Sequence, residues 1–422
     1  MRLTQEEQEI LDGGRGETLA KVMRTLVEYG DTFGAERMVP VTAPGHLVTS
    51  FGISILDAVF NVMDELIDAG LRTKEPFTVD PRPLDNRNVP ANPIQRLVGG
   101  ITYSKQAAYE EQLRKVGLKD SNAFTCACYL PQVGNAPKRG DILSWAESSA
   151  VVYANSVIGA RCNRNSGFID LFGNILGEVP EFGLLTDEGR KATWVIDVRC
   201  EKRPEAQVLG SAIGMRVMEE VPYIRGLAGH LGGRLDDAAK AYLKDMGAAS
   251  ASNGAVGLYH VEGITPEAVD LGESLIAEGA RTYVIDDAEL ERVKASYPNI
   301  WRKPDGRPQL AFIGCPHCSL EQLVSWAHRI HDALAAAGAS RVRIPTVVCS
   351  APDVLAAFKV TPEHDLLLST GARLTYICPL MYMDNPATKT AVVTCSNKLR
   401  TYTDARYFDE GELLGIIARG TI

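Results

Sequence analysis

The chain has 422 residues, 45% hydrophobic and 23% charged, with a formal net charge of −9. That length exceeds one small core and points to two or three domains, with the composition of a soluble globular protein. The negative balance argues against nucleic acid as the main partner, because no basic surplus exists to neutralise phosphates.

Helical and strand patterns alternate, which predicts an α/β architecture of mixed or parallel sheets flanked by helices. Residues 16–29 and 55–69 carry apolar side chains at helical spacing. Between them, Met38-Val39-Pro40-Val41 reads as a short strand feeding the loop Pro44-Gly45-His46. The proline-rich stretch 81–93 reads as a long loop, and 144–158 as a helix with its polar residues near the start. Buried strands are expected at 193–198, 282–286 and 310–313. Thr265-Pro266-Glu267 has the pattern of a helix start: a capping hydroxyl, proline in the first turn, then an acid near the positive dipole end. Ser350 with Pro352-Asp353 is a similar signal. Helices are expected over 320–336 and 412–418. The Gly- and Ala-rich stretch 226–254 is taken as a boundary, dividing the chain into an N-terminal α/β region, 1–230, and a C-terminal one, 231–422. No run is apolar and long enough to span a membrane. Met1-Arg2-Leu3-Thr4-Gln5-Glu6-Glu7 lacks the basic-then-apolar signal-peptide pattern, so a cytoplasmic protein is expected.

Nine cysteines in a reducing compartment do not predict a disulfide framework. Most read as small buried hydrophobes, and Cys162, Cys200, Cys349 and Cys395 take that reading. Three others stand in more telling places: Cys126 in Thr125-Cys126-Ala127-Cys128-Tyr129, Cys315 in Gly314-Cys315-Pro316-His317-Cys318, and Cys378 before Pro379. The pattern around Cys315 predicts a strand ending at Gly314, a turn, and then a helix whose dipole stabilises a thiolate. Two readings follow. Thiolates on separate loops can hold iron or zinc and leave a position open for substrate. Alternatively, Cys315 and Cys318 form a C-x-x-C thiol–disulfide redox pair, although more than three hundred residues precede the motif and no export signal is present. A zinc ribbon would need a second closely spaced pair, and Cys126 and Cys128 do not provide one.

Several blocks, in order, resemble the large subunit of the aconitase X family over nearly the whole chain. They are Gly45-His46 with Thr49-Ser50-Phe51; Thr125-Cys126 with Tyr129; Trp145-Ala146-Glu147-Ser148-Ser149-Ala150 running through Tyr153-Ala154-Asn155-Ser156 to Gly159-Ala160-Arg161 and Asn163-Arg164; Gly314-Cys315-Pro316-His317 with Ser319-Leu320; Cys378-Pro379; and Thr394-Cys395-Ser396-Asn397-Lys398. The resemblance implies the catalytic core of the aconitase superfamily without its swivelling domain. It implies a hydro-lyase whose iron–sulfur cluster is held by Cys126, Cys315 and Cys378, with [2Fe-2S] favoured and [3Fe-4S] or [4Fe-4S] open. Iron would act as Lewis acid on the leaving hydroxyl. His46, Ser148, Ser149 and Lys398 would be catalytic. Thr49, Ser50, Asn155, Arg161, Asn163, Arg164 and Ser396 would bind a small anionic substrate. A small partner subunit would carry the swivelling domain and a serine base. The favoured substrate is cis-3-hydroxy-L-proline, giving 1-pyrroline-2-carboxylate through an enamine, with mevalonate 5-phosphate as the alternative. This chain departs from the family pattern at Cys128, Cys162, Asn165 and Cys395, and Cys128 and Cys318 are extra thiols near the expected cluster.

Overall fold

The computed structural model describes residues 1–422 apart from 302, 304, 386 and 389. Two parallel sheets carry the architecture. The first has four strands in the order His260–Val261, Pro222–Arg225, Ala192–Val198, Ile276–Ile285. The second has five, in the order Arg373–Thr375, Thr346–Ser350, Leu310–Cys318, Val392–Thr394, Arg406–Tyr407. Thr346–Ser350 is buried at every residue, as a parallel strand covered on both faces requires. Parallel neighbours also need long crossovers. Leu320–Ala336 supplies one, between Leu310–Cys318 and Thr346–Ser350.

Ahead of the sheets, the helices Glu17–Thr32, Asp57–Asp68, Pro93–Thr102 and Gln106–Val116 surround two small strand pairs. Met38–Pro40 runs antiparallel to Glu178–Pro180, and His46–Leu47 parallel to Thr78–Val79. The second pair matters for function, because it fixes His46 beside residue 80.

Four sequence expectations are corrected. The strand beginning at Leu310 does not end at Gly314 but continues to Cys318. Ile313 pairs with Val348 and Cys318 with Ser350, so five steps along one strand face two along its neighbour. The excess bulges out as Gly314-Cys315-Pro316-His317. Gly314 has φ of 92°, and a Cβ there would collide with the Cys349 carbonyl, which is why glycine occupies the base of the bulge. The helix expected over 144–158 begins only at Ser148, where Glu147 caps it, and gives way to a π-helical turn over Ala154–Ile158. The Thr265 hydroxyl does not cap the Pro266–Leu271 helix; it accepts the Val261 N–H at 2.9 Å. The stretch 226–254 is no linker. From Asp237 to Gly254 it is a largely buried helix packed on Ala206–Val217, where a Cβ on Gly210, Gly214 or Gly254 would strike the facing backbone. Among the described residues no helix is long and apolar enough to cross a membrane.

Candidate active site

Three segments bring their cysteines together. Cys126 follows the Val79–Phe124 bridge. Cys315 rides the bulge in the five-stranded sheet, and Cys378 is the N-cap of the Pro379–Met383 helix. All nine cysteines are free thiols. The charge of Cys315 bears on both Cys126 and Cys378, so it lies near each of them. Burial raises the pKa of all three thiols, and Lys398 opposes that rise at each.

His317 ties these segments. Its Nδ1 meets Thr125 Oγ1 at 3.0 Å and its Nε2 meets the Ile377 carbonyl at 3.2 Å. With Nε2 carrying the proton, Nδ1 is left to accept from Thr125. Its main-chain N–H points to Cys126 Sγ at 3.4 Å, and its carbonyl accepts from Lys244 Nζ at 3.0 Å. Burial holds its pKa down at about 4, so the ring is neutral.

A buried ion pair sits beside the thiols. Glu147 Oε1 accepts from Lys398 Nζ, from Ser149 N at 3.0 Å and from Ser149 Oγ at 2.6 Å. Burial works against the Glu147 charge, but Lys398 and Ser149 outweigh it and hold the carboxyl at about 2. Burial likewise disfavours the Lys398 ammonium, and Glu147 with the Cys315 and Cys126 charges carries its pKa above the usual lysine value. Lys398 Nζ also reaches Ser149 Oγ at 3.4 Å. Ser396 caps the Asn397–Tyr402 helix that carries Lys398, and its Oγ lies 2.5 Å from the Cys315 carbonyl.

On the other side, His46 Nδ1 pairs with Thr78 Oγ1 at 2.9 Å, while its Nε2 lies 3.4 Å from Asp80 Oδ1. Both Nε2 and Oδ1 are buried without a hydrogen-bond partner. Burial and the nearby Glu147 push the Asp80 carboxyl well above its usual range. Burial disfavours the charged His46 ring, but Cys128, Glu147 and Asp170 outweigh it and raise its pKa.

Of the residues singled out in the sequence, Cys126, Cys315, Cys378, His46, Ser149, Ser396 and Lys398 meet in this region. Ser50 is buried, its Oγ donating to the Pro81 carbonyl next to Asp80. Thr49 is half-buried against Gly167, and Ser148 is half-buried in the first turn after Glu147. Arg164 is exposed, donates to the Ala255 carbonyl, and lies within the field of Glu147. The structure draws three others into the scaffold. Asn155 bonds the Cys162 and Gly257 carbonyls at 2.8 and 2.9 Å. Asn163 bonds the Phe182 carbonyl at 3.0 Å and the Leu184 N–H at 2.8 Å. Arg161 reaches the Leu185 carbonyl at 2.9 Å and pairs with Asp187. These polar groups are engaged internally because the chain around 155–163 has carbonyls and N–H groups to satisfy. Cys318 faces away from Cys315: it packs in the main core beside Ile313, whereas Cys315 packs with Phe312 and Cys349. Two thiols on opposite faces of one strand do not make a redox pair.

Sequence reasoning passed over Asp80, Glu147 and Lys244. Glu147 stood in a quoted block without a role. Its signal was a carboxylate directly before Ser-Ser at the start of an apolar helix. Lys244 was a lone lysine in the buried part of an Ala-rich helix.

The thiols were also tested as metal donors. Among the described residues no three His, Cys, Asp or Glu groups stand close enough to hold a single ion. Three thiols from separate segments make a soft donor set of the kind that holds iron.

Known proteins resemble this chain in sequence and in fold. The pattern of the aconitase X first domain matches residues 1–188, and that of the aconitase X second domain matches 192–295. A phosphomevalonate dehydratase large subunit from Thermococcus kodakarensis is 34% identical over 76% of this chain and 75% of its own. A cis-3-hydroxy-L-proline dehydratase from Pseudomonas aeruginosa is 28% identical over 91% of this chain and 63% of its own. The crystal structure of Thermococcus kodakaraensis aconitase X in its holo-form superposes with a TM-score of 0.81, at 28% identity and over 100% of both chains. The chain therefore belongs to the aconitase X family and is a dehydratase of that family.

Proposed function

We propose that this chain is the catalytic large subunit of a dehydratase that eliminates water across C2–C3 of a small 3-hydroxycarboxylate. The observation that carries the reading is the meeting of three thiols from distant segments, Cys315 buried and Cys126 and Cys378 half-buried, with the buried Lys398–Glu147 pair. Held by Cys126, Cys315 and Cys378, an iron–sulfur cluster would supply a Lewis acid for the departing hydroxyl.

The remaining work falls to side chains. Arg164 donates to the Ala255 carbonyl and to no carboxylate among the described residues, so it suits the substrate carboxylate. Lys398, kept protonated by Glu147, holds Ser149 Oγ within reach and adds positive charge beside the thiols. His46 Nε2 and Asp80 Oδ1 are buried, face each other at 3.4 Å and carry no hydrogen bond among the described residues, an arrangement suited to orienting the hydroxyl and passing it a proton. Asn155, Asn163 and Arg161 are assigned to the scaffold. The base for the C2 proton is assigned to a serine on a small partner subunit, a reading supported by the large-subunit name of the Thermococcus relative.

Both substrates carried by the relatives' names are 3-hydroxycarboxylates, so one elimination serves either. Phosphomevalonate is supported by 34% identity and by matched shares of 76% and 75%, which imply chains of similar length. The second reading, cis-3-hydroxy-L-proline, is supported by the match over 91% of the chain and by Arg164, a cation with no carboxylate partner among the described residues. The test is anaerobic co-expression with the small chain, followed by assays of iron, sulfide and water loss from each compound. Full activity without iron would overturn the cluster assignment. Loss of water from neither compound would overturn the substrate class.

A further inference from the structure

The helix Pro93–Thr102 presents an apolar face to solvent. Ile94, Leu97 and Ile101, at i, i+3 and i+7, are 66%, 64% and 60% exposed. Ile55 and Leu56 extend this face, at 84% and 40% exposed. Their loop is stitched to the end of the helix by the Ser54 N–H on the Thr102 carbonyl at 2.8 Å. Five large aliphatic side chains on one contiguous surface are unusual for a free-standing chain and mark an interaction site.

The opposite face of the helix leads to the site. Gln95 Nε2 donates to Thr388 Oγ1 at 3.1 Å, and Asn385 Nδ2 donates to the Gln95 carbonyl at 2.9 Å. Tyr103 lies against Met381, in the short helix that Cys378 caps. The neighbouring loop is bound just as closely. The Gly52 N–H donates to Gln106 Oε1 at 2.8 Å, and Gln106 Nε2 donates to the Ser50 carbonyl at 3.0 Å. A Cβ on Gly52 would strike the Gln106 backbone. The patch is therefore continuous, through one layer of residues, with both the Cys378 helix and the Ser50 loop.

Charge indicates the kind of partner. Around the face the charged side chains are Arg87 and Arg96, both exposed, and an ion pair of Lys105 with the exposed Asp57 beside Leu56, a local positive balance although the chain as a whole carries −9. A second copy of so acidic a chain is a poor match. A partner with an apolar centre and an acidic rim is a good one. The Pseudomonas relative matches over 91% of this chain but only 63% of its own length, so more than a third of that protein lies outside the match and can cover this face in one polypeptide.

We infer that the small partner subunit docks on the apolar face formed by Ile94, Leu97, Ile101, Ile55 and Leu56, and so closes over the Cys378 side of the site. This rests on the two-subunit reading proposed above. The binding contact presses on the Ser50 loop and the Cys378 helix, which couples docking to the order of the site.

The experiment uses the full large chain and the small chain encoded beside it in the same genome, co-expressed and compared by sedimentation and pull-down. Leu97→Glu places a charge at the centre of the face, and Arg96→Glu reverses its rim. Each is expected to weaken binding, Leu97→Glu by at least about 30-fold. Val360→Glu, at a site 86% exposed on another part of the chain, should bind as wild type. Melting temperature and iron content of the isolated chains check folding, and Arg96→Glu keeps the test valid should Leu97→Glu fold poorly. Wild-type binding unchanged by either variant would overturn the surface and leave the two-subunit reading standing. Failure of the wild-type chain to bind the small chain would overturn that reading itself. Self-association of the wild type, abolished by Leu97→Glu, would assign the face to a second copy and overturn the proposal.

Discussion

The side chains at the centre of this molecule are costly to bury alone and tolerable together. Glu147 and Lys398 are buried and share their hydrogen bonds with Ser149. Removing one partner leaves an uncompensated buried charge, which costs about 3–5 kcal/mol. Glu147→Gln and Lys398→Met are each expected to lower stability by that order in urea unfolding, with the double variant less destabilised than the sum of the two. Cys315→Ala is expected to abolish cluster loading in iron and sulfide assays. Cys318→Ala is expected to load normally, because Cys318 faces the core on the other side of the strand. His317 contacts all three cysteine segments without itself being a thiol. Its replacement by Ala is expected to weaken metal retention by about 10- to 100-fold while the fold persists, read as iron loss under a chelator. Cys315 was legible as a ligand candidate because Gly, Pro and His flank it, whereas Cys126 and Cys378 joined it as ligands through the family resemblance. Glu147 was not legible, since its meaning depends on a lysine 251 positions away.

At the level of elements, local signals were read most reliably where a cap and a periodic face coincide. Ser319 accepts from the Gln322 N–H, and the Gln322 side chain returns the bond in a full capping box. The expected helix over 320–336 appears with those bounds. The strand at 310 was read too short, because Gly314 and Pro316 look like a turn in sequence. In the sheet they are a bulge between two points of pairing with Thr346–Ser350. The Gly- and Ala-rich stretch was read as a boundary because small residues are common in linkers. Here they permit the helices Ala206–Val217 and Asp237–Gly254 to touch backbone to backbone. Gly214→Ala would place its Cβ 2.5 Å from the Ser250 carbonyl oxygen and is expected to cost about 1–3 kcal/mol by overpacking, measured as a lowered denaturation midpoint.

Across the whole molecule, one half-buried acid outside the site, Glu205, sets a pH dependence of stability. Burial, with Glu410 nearby, lifts the Glu205 carboxyl from 4.5 to about 8, and its Oε1 has no hydrogen-bond partner. The folded chain therefore holds a proton there that the unfolded chain gives up above about pH 4.5. Stability from this group is complete below that pH and is lost as pH rises through about 8, by at most about 1.4 kcal/mol per unit. Glu205→Gln mimics the protonated acid. It is expected to leave the melting temperature unchanged near pH 4.5 and to raise it at pH 8.5.

The sequence by itself determined the α/β class, most helix and strand positions and the negative charge balance, and it pointed to the three cysteines worth watching. These follow from composition, periodicity and flanking residues, all of which are local. The tertiary structure alone decided which of them meet. It placed Cys315 and Cys318 on opposite faces, joined Glu147 to Lys398, set Asp80 against His46, and drew Asn155, Asn163 and Arg161 into the scaffold. A buried polar group is defined by the partner that satisfies it, and that partner is chosen by how distant segments pack rather than by what stands beside it in the chain.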